Sequence, residues 1–499
     1  MNKVLKKYSS YLNEINIMAY KNVYMLSNPT LSKNPYTKTR FLHNLLDAKI
    51  NKYSFFKNIL LFYIKNILLF IFFLIPFFYV KLFFRKEKIT NEKEVRLIDS
   101  FYGDAELNNK ILKKDKYFEK LYEYMNINKI TYYHTPKFYG NKNPLKYIKF
   151  YKILKRSEQK YFIDLDYLTF NDLGKIIIFI MSYPWQVFLL KKSIKSKKNI
   201  DIAFKEDLSY SLSGTDFYPY IRYLYARNLS KELKNKKIKV ISWCEYQVVD
   251  KNFFNGIRTY SKSITIYATQ FLFKFPTYSC LYIPESDKDL GIAPDKILVT
   301  GQYYVVENSN YEYKIGPALR YEKLYNTQYF INKNSLNIVV MLPYVQEDAL
   351  SLVELLKESD KFCNMEIDFK LHPDFIHETA KYKTLFSVKW KIINAYPDLE
   401  KYGFVISSGS GSVMELASVG MSVIITASKN SFTTNPMPAE GKNENWSLVF
   451  TSTELEDSFQ QLLKFKQDST MLFEKNIVFY RENFLSKVDD ATIKENFDF

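Results

Sequence analysis

Cysteine and histidine are the scarce residues of this sequence, and each scarcity excludes a kind of site. Three cysteines, Cys244, Cys280 and Cys363, are scattered through 499 residues, each inside or beside an apolar run, with no CxxC spacing. That pattern supports neither a disulfide framework nor a zinc site, and a reducing cytoplasm fits it best. Histidine occurs four times, as His43, His134, His372 and His377. Asp164-Leu165-Asp166 matches a DxD metal-binding pattern by letter, but its context reads as a strand end and no metal is expected. No internal repeat is visible. The chain lacks the layout of a signal peptide, because its apolar segment comes far too late.

What is abundant is apolar and basic. Hydrophobic residues make up 47% of the chain, including 42 Tyr and 41 Phe, which excludes disorder. The length suits two domains plus an appendage and is too long for one core. The formal net charge is +18. No nucleic-acid motif accompanies it and the lysines are spread along the whole chain, so nucleic acid is not the expected partner. An anionic membrane surface and a phosphorylated ligand account for the charge equally well.

In chain order, residues 1–57 form a basic arm with ten Lys/Arg against Glu14 and Asp47. Residues 58–90 are a membrane-associating segment. Its greasy core runs from Ile59 to Phe84, and the 15 residues from Asn66 to Val80 carry no charge. About 20 are needed to cross a bilayer core, although the flanking Lys65 and Lys81 can snorkel. Both flanks are basic, so no orientation is set. A helix lying in one leaflet, a single span and a buried helix all fit. Residues 91–305 read as an α/β domain, with strands at Val95–Phe101, Lys129–His134, Tyr161–Leu165, Ile238–Trp243 and Ser263–Thr269, closed by a strand within Pro294–Gly301. Ile176–Leu190 reads as a core helix or a second membrane-touching one, and Lys205–Asp216 as polar and turn-rich. Residues 306–335 are the linker, 336–470 a second α/β domain, and 471–499 a C-terminal helix that crosses back.

The most informative stretch is Gly403–Thr426, GFVISSGSGSVMELASVGMSVIIT. An apolar strand, six small residues (Ser407, Ser408, Gly409, Ser410, Gly411 and Ser412), a helix to Gly420 and a second strand make a parallel βαβ unit. Such a loop offers N–H groups and hydroxyls to an anion, phosphate first. It equally suits a plain cap and turn. A second polar loop, Lys370-Leu371-His372-Pro373, ends another strand of the same half. In a doubly wound sheet both loops lie on the ligand-binding edge.

His372-Pro373, then Ser407-Ser408, then Glu415 resembles the nucleotide-binding half of bacterial GT-B glycosyltransferases, and is most similar to surface-carbohydrate enzymes that use CMP-activated sialic acid or Kdo. The match covers about Asn337–Phe450, with a weaker one from Ser242 to Gln302. The resemblance implies a GT-B-like fold: two Rossmann-like doubly wound domains facing a cleft, here with an N-terminal membrane-associating helical segment. It implies a nucleotide-sugar donor, CMP-linked first and UDP- or other NDP-linked next, and a glycan or lipid-linked glycan acceptor. No metal or cofactor is implied. Lys370, His372, Pro373, the Ser407–Ser412 loop and Glu415 would hold the nucleotide, with His372 also donating to the leaving phosphate and Glu415 meeting the ribose. Glu245, in Glu245-Tyr246-Gln247 at a strand end, is the chosen catalytic base, ahead of Asp99 and Asp104. The sequence departs from the family twice. No acidic pair followed by Gly occurs, and Phe271 follows Gln270 where relatives often carry His. The resemblance implies the cytoplasmic face of a bacterial inner membrane. Nucleotide-sugar epimerase, glycerophosphotransferase and non-catalytic membrane scaffold are the competing readings.

Overall fold

The computed structural model describes residues 2–33, 54–89, 92–103, 117–138, 143–195, 198–275, 277–307, 309–395, 398, 400–429 and 433–499. Fourteen strands are found among them: β1 (Glu94–Asp99), β2 (Phe101–Tyr102), β3 (Tyr133–His134), β4 (Lys137–Phe138), β5 (Lys237–Trp243), β6 (Ile264–Gln270), β7 (Lys296–Val299), β8 (Glu312–Ile315), β9 (Ile338–Met341), β10 (Ile367–Lys370), β11 (Trp390–Ile393), β12 (Phe404–Ser407), β13 (Ser422–Thr426) and β14 (Trp446–Val449). Twelve of them form two all-parallel sheets of six. Parallel sheets are covered on both faces by their crossover helices, so central strands read as continuous apolar runs. β9 (IVVM) and β12 (FVIS) are such strands, buried at every position.

The second sheet has the order β11-β10-β9-β12-β13-β14, the 3-2-1-4-5-6 order of a dinucleotide-binding fold, with its direction of winding reversed between β9 and β12. The first has the order β3-β1-β5-β6-β7-β8 and reverses between β1 and β5. At each reversal the crossover helices leave to opposite faces and open a crevice at the C-terminal edge. The architecture is thus GT-B-like: two doubly wound domains, each with its own switch point.

Several expectations are corrected. Glu312–Ile315 lies within the expected linker but is β8, the outer strand of the first sheet, so β7 does not close that domain. Its sequence, EYKI, carries two charges and only partial burial, as edge strands do, and gives little apolar signal. The expected strand at Tyr161–Leu165 is one bridge, Tyr161 to His134, followed by a helical turn, Asp164–Tyr167. Lys205–Asp216 falls largely within the helix Asn199–Gly214, whose buried face of Ala203, Phe204, Leu208 and Leu212 overrides its many polar residues. Asp104 and His43 lie outside the described residues.

The N-terminal arm is not a loose appendage where it is described. The helix Asn2–Ala19 buries Tyr8 and Leu12 in the same apolar cluster as the greasy helix, Phe55–Phe83, and the helices Pro144–Arg156, Phe170–Ser193, Asn199–Gly214 and Tyr218–Glu232. The greasy helix is 29 residues, about 43 Å long. It is fastened on one side along most of that length. Tyr63 donates to the Met181 carbonyl, Lys65 to Gly214, Asn66 to Thr215 and Lys81 to Asp166. Its other side exposes Phe56, Leu60, Ile64, Ile67, Leu68, Ile71, Phe72, Ile75, Phe78 and Leu82, one unbroken stripe at helical spacing. The helix Phe170–Ser193 is not a pure core helix either. It buries Ile176, Phe179, Tyr183 and Val187 and exposes Ile177, Ile178, Met181, Trp185 and Leu189.

The last segment returns to the first domain. Tyr303 stacks on Phe484 at 4.2 Å, Ser486 donates to the Gly316 carbonyl, and Lys239 and Lys296 of the first sheet bind Asp498.

Candidate functional site

The small-residue loop follows β12 at the second sheet's switch point. Gly409 holds φ +81°, and a Cβ there would lie 2.8 Å from Cβ of Thr434, so glycine is required twice over. The Ser410 hydroxyl accepts from the Ser412 N–H, while the N–H groups of Gly409, Ser410 and Gly411 make no hydrogen bond among the described residues. Three such donors in one turn form a nest that suits an anion. The helix behind it, Ser412–Ala417, is only six residues long, so its dipole adds little. It ends earlier than the expected stop at Gly420, whose φ of +109° lets the Phe330 carbonyl pass where a side chain would stand.

One of the sequence-chosen ligands is spent on the fold, and a second is partly engaged. Ser407 is fully buried and donates to the Met341 carbonyl at 2.5 Å, which ties β12 to β9 and leaves no surface for a ligand. Lys370 donates to the Asn394 carbonyl at 2.7 Å, across to the loop after β11. Ser408 is buried, 5% exposed, beneath the nest. His372 is half-buried at the end of β10, edge-on to the Tyr344 ring at 5.0 Å, and Pro373 after it is exposed. β10 and β12 flank β9, so His372 and the small-residue loop share an edge but stand two strand spacings apart, about 10 Å. A ligand the size of a nucleotide is needed to touch both.

Across from this edge stands that of the first sheet. Phe275, after β6, lies 3.6 Å from the position a Gly411 Cβ would take, and the Thr277 and Thr434 hydroxyls are 3.3 Å apart. The loops beyond the C-terminal ends of both sheets therefore face one another across a cleft. Glu245 follows β5 on the first-domain side. The Trp243 indole N–H donates to it, and Tyr246 next to it holds a left-handed φ of 55° with its hydroxyl fixed on Asp287. Burial, with the Asp250 charge second, raises the Glu245 pKa above the usual carboxylate range. Gln247 then caps the helix Val248–Arg258 in a capping box with Asp250. The Arg320 guanidinium lies over the rings of Tyr117 and Trp243, within the fields of both Glu245 and Glu415. Arg320 thus connects the two sequence-chosen acids from opposite domains, and no motif marked it. Gln270 has a structural place: its amide donates to the Leu281 carbonyl and holds the β6 loop closed.

Asp99 is corrected as a candidate base. It is fully buried and takes bonds from Arg222 at 2.6 Å, Lys137 at 2.9 Å and Ser242 at 2.8 Å. Lys137 also reaches Asp250 at 2.6 Å and the Trp243 carbonyl at 2.7 Å. A carboxylate bound by two cations and a hydroxyl has no free lone pair for a substrate proton. A cavity of about 340 Å³ opens beside this network toward the helical layer, lined by Lys137, Tyr147, Asp164, Asp216, Tyr218 and Arg222. A second, of about 270 Å³, lies in the cleft between Lys274, Tyr282, Tyr303 and Tyr304 of the first domain and Asn435 to Met437 of the second.

No family model and no curated protein matches this sequence. Solved structures with a similar chain path include MurG of Acinetobacter baumannii, at 10% identity over 82% of this chain and 98% of that one, TM-score 0.40. A glycosyltransferase of Rickettsia africae is similar at 12% identity over 82% and 98%, TM-score 0.42. The UDP-GlcNAc 2-epimerase of Neisseria meningitidis is similar at 10% identity over 81% and 98%, TM-score 0.42. Likeness at this level carries no information on activity or ligand.

Proposed function

We propose that this chain is a membrane-associated, metal-independent glycosyltransferase that moves an acidic sugar from a CMP-linked donor onto a surface glycan at the cytoplasmic face of a bacterial inner membrane. The observation that carries the reading is the meeting of two parallel sheets at their C-terminal edges, with a nest of unbonded N–H groups on one side and a raised-pKa carboxyl, Glu245, on the other. Doubly wound sheets bind ligands at such edges. The nest receives the donor phosphate, His372 donates to the departing phosphate, Glu415 meets the ribose, and Glu245 takes the proton of the acceptor hydroxyl. The preference for CMP rests on the resemblance of His372-Pro373 and Ser407-Ser408 alone, with UDP- and other NDP-sugars next in order.

The membrane part of the reading rests on the greasy helix. Polar bonds on one side, from Tyr63 to Lys81, hold it against the protein, while its apolar stripe and that of Phe170–Ser193 stay exposed. In this reading the helix lies in the plane of one leaflet rather than crossing it. Cysteines placed at Ser54 and Phe84 should then both react with an impermeant maleimide from the same side of inverted vesicles. Labelling from opposite sides would mean a span.

Nucleotide release from CMP-, UDP- and CDP-linked sugars, with and without acceptor glycan, tests the activity. Release from a CMP-sugar that is lost in His372→Ala supports the proposal. Release from none of them returns the chain to the scaffold reading.

A further inference from the structure

Lys274 sits four residues beyond β6, 3% exposed, on the wall of the 270 Å³ cleft cavity. Among the described residues its Nζ has no hydrogen-bond partner, and the buried hydroxyl of Tyr304 on the same wall, which the Lys274 backbone N–H approaches, has no acceptor for its own proton. The groups around the amine are aromatic or neutral: the Tyr313 ring at 5.3 Å, the Tyr282 ring at 6.0 Å and the Cys244 thiol. A buried ammonium without a counter-charge is expensive, and two distant rings offset only part of the cost. Burial accordingly lowers the Lys274 pKa to about 7. The same wall adjoins the small-residue loop, since Phe275 stands against Gly411 and Thr434, next to Asn435, against Gly409.

We propose that Lys274 Nζ and Tyr304 Oη form an anion subsite that takes a phosphate or carboxylate of a substrate held between the domains. The proposal deepens the glycosyltransferase reading, for it assigns the counter-charge of that cleft to a residue outside every motif. An anion entering the cavity supplies the missing partner for both groups, and the amine takes up a proton as it binds. The two sources are a nucleotide phosphate and the carboxylate of an acidic sugar.

The test is calorimetric titration of the full-length protein in detergent at pH 8, using inorganic pyrophosphate, CMP and free N-acetylneuraminate as probes, in buffers of different ionisation enthalpy. At least one probe should bind with net proton uptake, and Lys274→Met should weaken it at least tenfold and abolish the uptake. Tyr304→Phe, which changes no volume, should weaken the same probe several-fold and keeps the test open if the lysine variant does not fold. Loss for pyrophosphate and CMP assigns the site to phosphate; loss for the sugar acid alone assigns it to a carboxylate. Unchanged affinity for every probe in the folded variants, or no binding of any probe to the parent protein, overturns the subsite. A parent protein that binds pyrophosphate through Lys274 yet releases nucleotide from no donor would sink the transferase reading and leave the subsite standing.

Discussion

The two switch points of this molecule obey one topological rule and are filled in opposite ways. Between β1 and β5 the crevice is plugged by Asp99, Lys137, Asp250, Arg222 and Ser242, all buried and mutually bonded. Between β9 and β12 it is left to small residues, and among the described residues it is the Ser407 hydroxyl that bridges the strands there, to the Met341 carbonyl. A crevice closed by paired charges is rigid and has no lone pair to give. One lined by glycine and serine keeps its backbone N–H groups for something else. The same fold thus uses one edge to build and, in the proposed function, keeps the other to bind, and Glu245 and Arg320 sit where the two meet.

The comparison can be broken from either side. The largest effect is expected at the cleft. Glu245→Gln should lower turnover by about 10²- to 10⁴-fold, the range for a general base. Because burial raises its pKa, the parent enzyme's activity should rise with pH along a limb above about 4.3, the ordinary glutamate value, and the variant should lose that limb. A pH–rate profile of nucleotide release checks both. Next is the plug. Lys137→Met takes from Asp250 its one cation partner among the described residues and leaves Asp99 to Arg222 alone, at a cost of about 3–5 kcal/mol, seen as a lowered melting midpoint. An unchanged midpoint would remove the idea that the first switch point is structural. Third, Gly409→Ala forces a side chain into φ +81° against Thr434 and should cost about 1–3 kcal/mol, with weaker nucleotide binding. Lys274 gives a smaller, pH-graded signal. Its amine titrates near 7 when folded and near about 10.4 when unfolded, so the unfolded state holds more protons between those values and stability rises with pH there. Lys274→Met should flatten that rise in melts taken at pH 7 and 9.

How much of this was legible follows from what each residue type can announce. The βαβ unit at Gly403–Thr426 was readable because apolar runs and small residues alternate over one short stretch. β11 and β8 were not: four residues each, at or near sheet edges, with lysine or glutamate inside them. The His372 and Ser408 loops could be placed on one edge from strand order, yet the strand between them could not be counted from sequence. Asp99 looked like a base because it ends a strand, and only the cations that arrive from residues 137 and 222 reveal its structural place. Lys274 and Arg320 carry no pattern at all. Their meaning comes from what surrounds them after folding, and a sequence with 71 Lys/Arg offers no reason to single out two.

The finest test separates two serines that stand side by side. Ser407 and Ser408 were chosen together as phosphate ligands, but only Ser407 has its hydroxyl committed to a strand carbonyl. Removing a buried neutral hydrogen bond costs about 1 kcal/mol. Ser407→Ala should therefore lower stability by that amount and change nucleotide affinity less than twofold, because its hydroxyl faces Met341 rather than the cleft. A tenfold loss of affinity with an unchanged melting midpoint would mean that the hydroxyl leaves β9 when nucleotide arrives. The second switch point would then be a moving part, and its contrast with the ionic plug would be one of mobility as well as of charge.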